Sequence, residues 1–148
     1  MIFIDANLLI YAVNADAPLH LQAKTWVQET LNGRRGAVAL SWFSLVAFVR
    51  IITNSRIIVA PRSLEEALQL VNAWLALPAV RLIEPGPGHA HHFEAIYRAT
   101  KAQGNLVTDA HLADPAIEHG LELASCDTDF EKFPGLRWIN PLQPRSES

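Results

Sequence analysis

The chain has 148 residues, of which 50% are apolar and 18% are charged, and its formal net charge is −3. This length and composition fit one globular domain and exclude a disordered chain or two domains of ordinary size. A single cysteine, Cys126, excludes an internal disulfide and favours a reducing compartment, so we expect the protein to be cytoplasmic.

The first residues and the overall charge exclude further classes. Residues 1–13 are apolar but lack a positively charged start and contain Asp5 and Asn7, so we expect no export signal. No stretch approaches the ~20 apolar residues of a membrane span. The negative charge alone disfavours nucleic-acid binding, for which domains are usually basic. A local basic patch can still bind nucleic acid. Five arginines are candidates for such a patch, and each is equally well explained as an ordinary surface residue: Arg34, Arg35, Arg50, Arg56 and Arg62.

Short apolar runs alternate with helix-like segments along the chain. In order, we predict a strand at 2–4, helices at 7–13 and 19–31, a strand at 37–40, helices at 42–53 and 64–77, a strand at 80–83, helices at 89–103 and 109–119, a strand at 122–125, a helical turn at 130–133 and a possible edge strand at 136–139. Ser41 is predicted to cap one helix, and Ser63 with Glu66 forms a capping box. The alternation predicts an α/β domain with a mostly parallel sheet.

Aspartates follow the predicted strands. Asp5 comes directly after the first strand, Asp127 lies just past the fourth, and Asp129 lies on the same turn. Asp109 is expected to begin a helix after residues 106–108. Because ligands gather at the carboxyl ends of parallel strands, we expect these four carboxylates to converge on one cleft.

Such a cluster needs a counter-charge, since neighbouring carboxylates raise one another's pKa. Mg²⁺ prefers oxygen ligands, and a bound cation can activate water and stabilise charge on a phosphate oxygen. The pattern therefore indicates metal-assisted hydrolysis. In the alternative interpretation, Asp5 and Asp109 are only helix N-caps, and Asp127 and Asp129 are only turn residues.

Several segments form a recognisable series: Ile4-Asp5-Ala6-Asn7-Leu8-Leu9-Ile10-Tyr11-Ala12, the middle segment from Trp42 to Asn54, Val107-Thr108-Asp109-Ala110-His111-Leu112-Ala113, Ile117-Glu118-His119-Gly120, Ser125-Cys126-Asp127-Thr128-Asp129-Phe130 and Phe133-Pro134-Gly135-Leu136. In order and spacing they resemble PIN-domain toxins of the VapC kind. The matching segments span nearly the whole chain.

The resemblance implies a PIN-like three-layer α/β/α domain over residues 1–141, followed by a polar tail, 142–148. It implies an endoribonuclease dependent on Mg²⁺ or Mn²⁺, a small partner antitoxin and a homodimer. Its implied site residues are the metal-binding Asp5, Asp109 and Asp127, an additional acid, Asp129, and the supporting residues Asn7 and Ser125.

Two positions depart from the family pattern. Ala47 stands where many PIN domains carry a glutamate, so we expect one well-held metal ion and a second recruited by the RNA phosphate. Pro115 interrupts an Ala-rich helix and is expected to break or kink it, unless Asp114 caps a fresh turn that begins at Pro115.

The working hypothesis is in-line hydrolysis of RNA by metal-activated water, with solvent supplying the proton to the leaving 3′ oxygen. The main alternative is an inactive PIN module that binds an antitoxin or RNA without cleaving. A phosphotransferase of the haloacid-dehalogenase kind would need an aspartate at position 7, where this chain has Asn7. A response-regulator receiver would need a phosphorylatable Asp after the third strand and a Lys after the last, and neither is apparent.

We expect an antitoxin to silence the cleft with a basic side chain.

Histidines and tryptophans outside these motifs are assigned simpler roles. His89 and His92 share a helical face next to His91, but a zinc site there would lack a fourth ligand, which favours surface histidines. The tryptophans at positions 26, 42, 74 and 138 are predicted to lie in the core or in an interface. The apolar faces around Trp26, Leu31, Trp42 and Phe48 could be either.

Overall fold

A five-stranded parallel sheet forms the centre of the molecule. The computed structural model describes residues 1–142, and residues 143–148 of the expected tail lie outside that range. The strands are β1 (Ile2–Ile4), β2 (Val38–Leu40), β3 (Val80–Leu82), β4 (Glu122–Ala124) and β5 (Arg137–Ile139). Their order is β3-β2-β1-β4-β5, and every pairing is parallel. The predicted α/β class with a parallel sheet is confirmed, including the edge strand.

Helices connect the strands, and their ends agree with the predicted ones to within a few residues except in one case. They are α1 (Ala6–Val13), α2 (His20–Leu31), α3 (Trp42–Ile52), α4 (Leu64–Leu75), α5 (His89–Thr100) and α6 (Asn105–Glu118), followed by a 3₁₀ helix (Thr128–Lys132). Ser41 caps α3, and the predicted capping box of Ser63 and Glu66 opens α4.

Each face of the sheet carries its own core, because successive side chains of a strand point to opposite faces. Ile4 packs with α1 to α4 on one face, whereas Phe3 packs with α6 and the 3₁₀ helix on the other. The result is the expected three-layer α/β/α arrangement. Leu142, at the end of the described range, is buried in the first core.

Helix α6 differs most from its prediction. It begins at Asn105 rather than at Asp109, and it continues through Pro115 to Glu118. The expected break and the expected fresh turn at Pro115 are therefore wrong, and Asp114 lies within the helix. A proline removes one backbone hydrogen bond. Here Pro115 is buried, and its neighbours Ala113 and Ala116 pack in the second core, which favours a continuous helix despite this loss.

The structure shows which residues of the apolar helical faces lie in the core and which lie on the surface. Leu31 and Phe48 are buried in the first core, so they are not interface residues. Trp26 and Trp74 pack against that core and Trp138 packs against the other, whereas Trp42 is 43% exposed. Among the described residues, no helix is long and apolar enough to cross a membrane.

Candidate metal centre

The carboxyl ends of β1 and β4 bring the two ends of the chain together. The two strands are neighbours, with Ile4 paired to Ala124, and the Asp5 amide donates to the Ala124 carbonyl at 3.0 Å. Asp5 directly follows β1, and Ser125 directly follows β4. Their proximity follows from the parallel register, because equivalent positions of paired strands leave the sheet at the same edge.

Ser125 is the centre of a hydrogen-bond network at this edge. Its hydroxyl donates to Asp5 Oδ2 at 2.7 Å and accepts from Asn7 Nδ2 and from the Asp127 amide, each at 3.0 Å. The other oxygen of Asp5 accepts from the Ala6 amide at 2.7 Å, which caps α1. The structure thus brings Ser125 into contact with Asp5, and Asn7 into contact with Ser125.

Asp127 and Asp129 lie on the turn after β4. Asp127 caps the 3₁₀ helix, and its Oδ1 accepts from the Asp129 amide at 2.9 Å. The capping and turn roles that the sequence left open are therefore real for Asp5 and Asp127. They do not exclude metal binding, because each carboxylate oxygen has a second lone pair.

Asp109 reaches the same place from a different kind of element. It lies inside α6 and neither caps the helix nor follows a strand, so the predicted local setting is wrong. Oxygen atoms of Asp109, Asp127 and Asp129 nevertheless all lie within 4.8 Å of one another. Asp5 is outside this close group but is joined to it through Ser125, whose hydroxyl contacts both Asp5 and the Asp127 amide.

The electrostatics show that these carboxylates repel one another. Burial raises the pKa of Asp109 to about 7, and the charges of Asp127, Asp5 and then Asp129 contribute in the same direction. Burial also raises the pKa of Asp5, although the hydrogen bonds from Ser125 and Ala6 oppose this. The fold therefore holds carboxylates together at a cost that a cation removes.

The donor set fits a hard divalent cation. Three carboxylates close together, with a fourth beside them, supply only oxygen ligands, which is the chemistry that Mg²⁺, Ca²⁺ and Mn²⁺ favour. Ala47 is partly buried against the first core, and its methyl side chain has no donor atom to add to this set. Burial and then the charge of Asp5 raise the pKa of Cys126 to about 11, so this neighbouring side chain is a neutral thiol at pH 7 and a poor nucleophile.

Lys132 is a member of the site that the sequence reasoning missed. Its Nζ lies 3.0 Å from Asp129 Oδ1, and its charge opposes the rise in the pKa of Asp109. The two residues are three positions apart on the 3₁₀ helix, and this spacing was the available signal.

Known proteins share both the sequence pattern and the fold. A sequence model of the PIN domain family matches residues 2–136. Ribonuclease VapC33 of Mycobacterium tuberculosis is 38% identical over 143 residues, covering 97% of this chain and 99% of that protein. The crystal structure of Mycobacterium tuberculosis VapC20, described as a Sarcin-Ricin loop cleaving toxin, superposes with a TM-score of 0.65 at 18% identity, covering 93% and 99% of the two chains. A toxin-antitoxin complex from Klebsiella pneumoniae gives a TM-score of 0.62 at 19% identity, covering 95% and 98%.

Proposed function

Because the chain belongs to the PIN domain family, we propose that it is a Mg²⁺-dependent endoribonuclease and the toxin of a toxin–antitoxin pair. The observation that carries this proposal is the convergence of Asp109, Asp127 and Asp129, with Asp5 held beside them by Ser125. The similarity to a ribonuclease over nearly the full length of both chains supports RNA as the substrate.

The carboxylates would divide the work of holding the cation. Asp109, Asp127 and Asp129 would bind it directly, and Asp5 would bind it or one of its waters; their mutual proximity supports this division. When bound, Mg²⁺ supplies a more acidic water and stabilises negative charge on a phosphate oxygen. Mn²⁺ has the same ligand preference and is expected to substitute for it.

The protein's own residues orient this centre for hydrolysis. Ser125 and the Ala6 amide each hold one oxygen of Asp5, which fixes the direction of that carboxylate. Water adds to the phosphorus and gives up a proton to solvent, the bond to the 3′ oxygen breaks, and the leaving oxygen takes a proton from solvent. Lys132, whose side chain is 61% exposed, can contact an RNA phosphate beside Asp129.

Cleavage of an end-labelled RNA, titrated with Mg²⁺, tests the proposal. We expect Mg²⁺-dependent cutting that excess EDTA abolishes, and no detectable cutting by Asp5→Asn or Asp127→Asn. Asp16→Asn changes an exposed aspartate elsewhere in the chain and should cut as the parent does. Cleavage that persists in EDTA, or an Asp127→Asn protein as fast as the parent, would refute the assignment. Mg²⁺ binding without any cleavage would favour the inactive PIN module.

We also propose a small antitoxin as partner, in agreement with the toxin-antitoxin complex that shares this fold. A groove of about 600 Å³ between α2 and α4, lined in part by Val27, Gln69 and Trp74, is the surface we assign to it. Co-purification with an antitoxin encoded beside the gene tests this assignment. Gln69→Arg should weaken capture, whereas Gln22→Arg, an exposed glutamine that does not line the groove, should not.

Two further assignments complete the proposal. We assign the protein to the cytoplasm, where RNA substrates are present and a lone thiol such as Cys126 stays reduced. We expect a homodimer, which sedimentation of the purified chain measures directly. A monomer at micromolar concentration would contradict the second assignment.

A further inference from the structure

A second group of metal-ligand side chains lies between α5 and α6. His92 Nδ1 is 3.8 Å from Asp114 Oδ1 and 3.8 Å from Glu118 Oε2, and one ligand atom from each of the three residues lies within 4.8 Å of the other two. Asp114 and Glu118 are four positions apart and therefore share one face of α6. None of the three belongs to the acidic site described above.

The burial of Asp114 is the unusual feature of this group. Its side chain is 1% exposed, while those of His92 and Glu118 are 45% and 23% exposed. A buried carboxylate is costly unless it is paired. The cationic partners that the structure gives Asp114 are two histidines, His89 and His92, which are charged only when protonated. A cation that enters from the solvent side, where His92 and Glu118 are partly exposed, would pair with this buried carboxylate.

His89 orients Asp114 and leaves one of its oxygens available. The Nδ1 of His89 is hydrogen-bonded to Asp114 Oδ2, and its Nε2 is 2.9 Å from His111 Nδ1. Because a carboxylate can only accept, His89 donates from Nδ1 and accepts at Nε2 in its neutral form. The remaining oxygen, Oδ1, faces His92. A carboxylate ligand held by a neighbouring hydrogen bond is a recurring arrangement around protein metal ions.

Two glycines of the preceding turn lie against the same side chains. A Cβ on Gly86 would lie 3.2 Å from Glu118 Oε1, and a Cβ on Gly88 would lie 3.5 Å from His92 Cε1. The approach at Gly86 is tighter than most side chains make, whereas a Cβ at Gly88 would make ordinary van der Waals contact with His92. This contact restricts where His92 and Glu118 can point.

We propose that His92, Asp114 and Glu118 bind a Zn²⁺ ion that joins α5 to α6. Bonds of about 2.0–2.1 Å in a tetrahedral site place ligand atoms about 3.3 Å apart, so the two 3.8 Å separations close with small side-chain movements. Water takes the fourth position, so the lack of a fourth protein ligand, noted above for the histidines alone, does not prevent zinc binding. An imidazole nitrogen favours Zn²⁺ over Mg²⁺, so the two centres differ in the metal they select.

The packing of α5 gives this ion a structural role. Helix α5 contributes no fully buried side chain, and only Phe93 and Ile96 pack against the second core as partly buried residues. Apolar burial therefore holds α5 weakly compared with the other helices. A metal cross-link to α6, the helix that carries Asp109, would stabilise it.

Zn²⁺ titration of the metal-free full-length protein in excess Mg²⁺ tests the proposal by calorimetry. We expect the parent to bind one equivalent of Zn²⁺ that both His92→Ala and Glu118→Gln bind at least about tenfold more weakly. His91→Ala, on the same helix but outside the group, should bind like the parent. Asp127→Asn should also retain this equivalent, which separates the site from the acidic one.

Amide hydrogen exchange gives a second readout that does not depend on catalysis. Zn²⁺ should slow exchange in α5 of the parent and of His91→Ala, but not of Glu118→Gln. Glu118→Gln keeps the shape of the side chain, so it remains informative if His92→Ala unfolds. The proposal is wrong if the parent binds no Zn²⁺ in excess Mg²⁺, or if Glu118→Gln binds Zn²⁺ as tightly as the parent.

Discussion

Ser125 donates its hydroxyl hydrogen to Asp5 Oδ2 at 2.7 Å, although the two residues are 120 positions apart in the chain. The same hydroxyl oxygen accepts from Asn7 and from the Asp127 amide. One buried serine therefore connects the end of β1 to the end of β4 at the acidic site. Its position results from the parallel pairing of β1 with β4.

Replacing Ser125 with alanine should reduce activity without unfolding the protein. The change removes a hydrogen bond that lowers the pKa of Asp5, so that pKa should rise further and the carboxylate should lose its fixed direction. Loss of such a supporting bond usually lowers metal affinity or activity by about 10–100-fold. RNA cleavage and Mg²⁺ binding measure the effect. Ser44→Ala, at a buried serine bonded to Ser41 instead, is the matched control and should retain full activity.

Neutralising Asp109 should stabilise the metal-free protein at alkaline pH. Its pKa is raised from 3.8 to about 7 in the folded state, so its charge opposes folding fully above pH 7 and not at all below about pH 4. Asp109→Asn should therefore have a higher Tm than the parent at about pH 8 in EDTA, and the difference should vanish towards about pH 4. A difference that does not change with pH would contradict the assignment of the shift to ionisation.

Mg²⁺ binding should weaken as the pH falls through about 7, because the ion competes with the proton on Asp109. Calorimetry in buffers of different ionisation enthalpy measures the proton released on binding. We expect a release approaching one proton at about pH 6 and little release at about pH 9. Equal release at both values would mean that Asp109 does not titrate in this range.

Removing the charge of Lys132 should tighten the binding of a divalent cation. Lys132→Gln frees Asp129 from its ion pair and removes a positive charge that repels the incoming ion. Because the lysine is exposed, the gain should be modest, within about tenfold, and should shrink at high salt. Mg²⁺ titrations at two ionic strengths check this result, and weaker Mg²⁺ binding by Lys132→Gln would oppose it.

The capping box of α4 provides a test of stability that leaves the site untouched. Ser63→Ala removes the side chain that accepts from the Glu66 amide, which should cost about 1 kcal/mol and lower the Tm by about 2–4 °C. Ser55→Ala, at an exposed turn position, should change the Tm by less than about 1 °C. RNA cleavage at a permissive temperature should match the parent for both.

The sequence by itself determined the features that depend on neighbouring residues. Apolar runs marked the strands, and serines with the right spacing marked the starts of α3 and α4. The strand-end position of Asp5 and Asp127 followed from the same local pattern, because every parallel strand delivers its next residue to one edge of the sheet. These inferences needed no knowledge of which strands are neighbours.

Only the tertiary structure decided the features that depend on contacts between distant elements. Local rules made Asp109 the start of a helix and Pro115 its break, but packing on the second core carries α6 through both. The pairing of His92 with Asp114 and Glu118 has no local signal, because His92 lies on α5 and the two acidic residues lie on α6. Propensities act over a few residues, whereas burial and charge pairing act between surfaces that meet only in the folded chain.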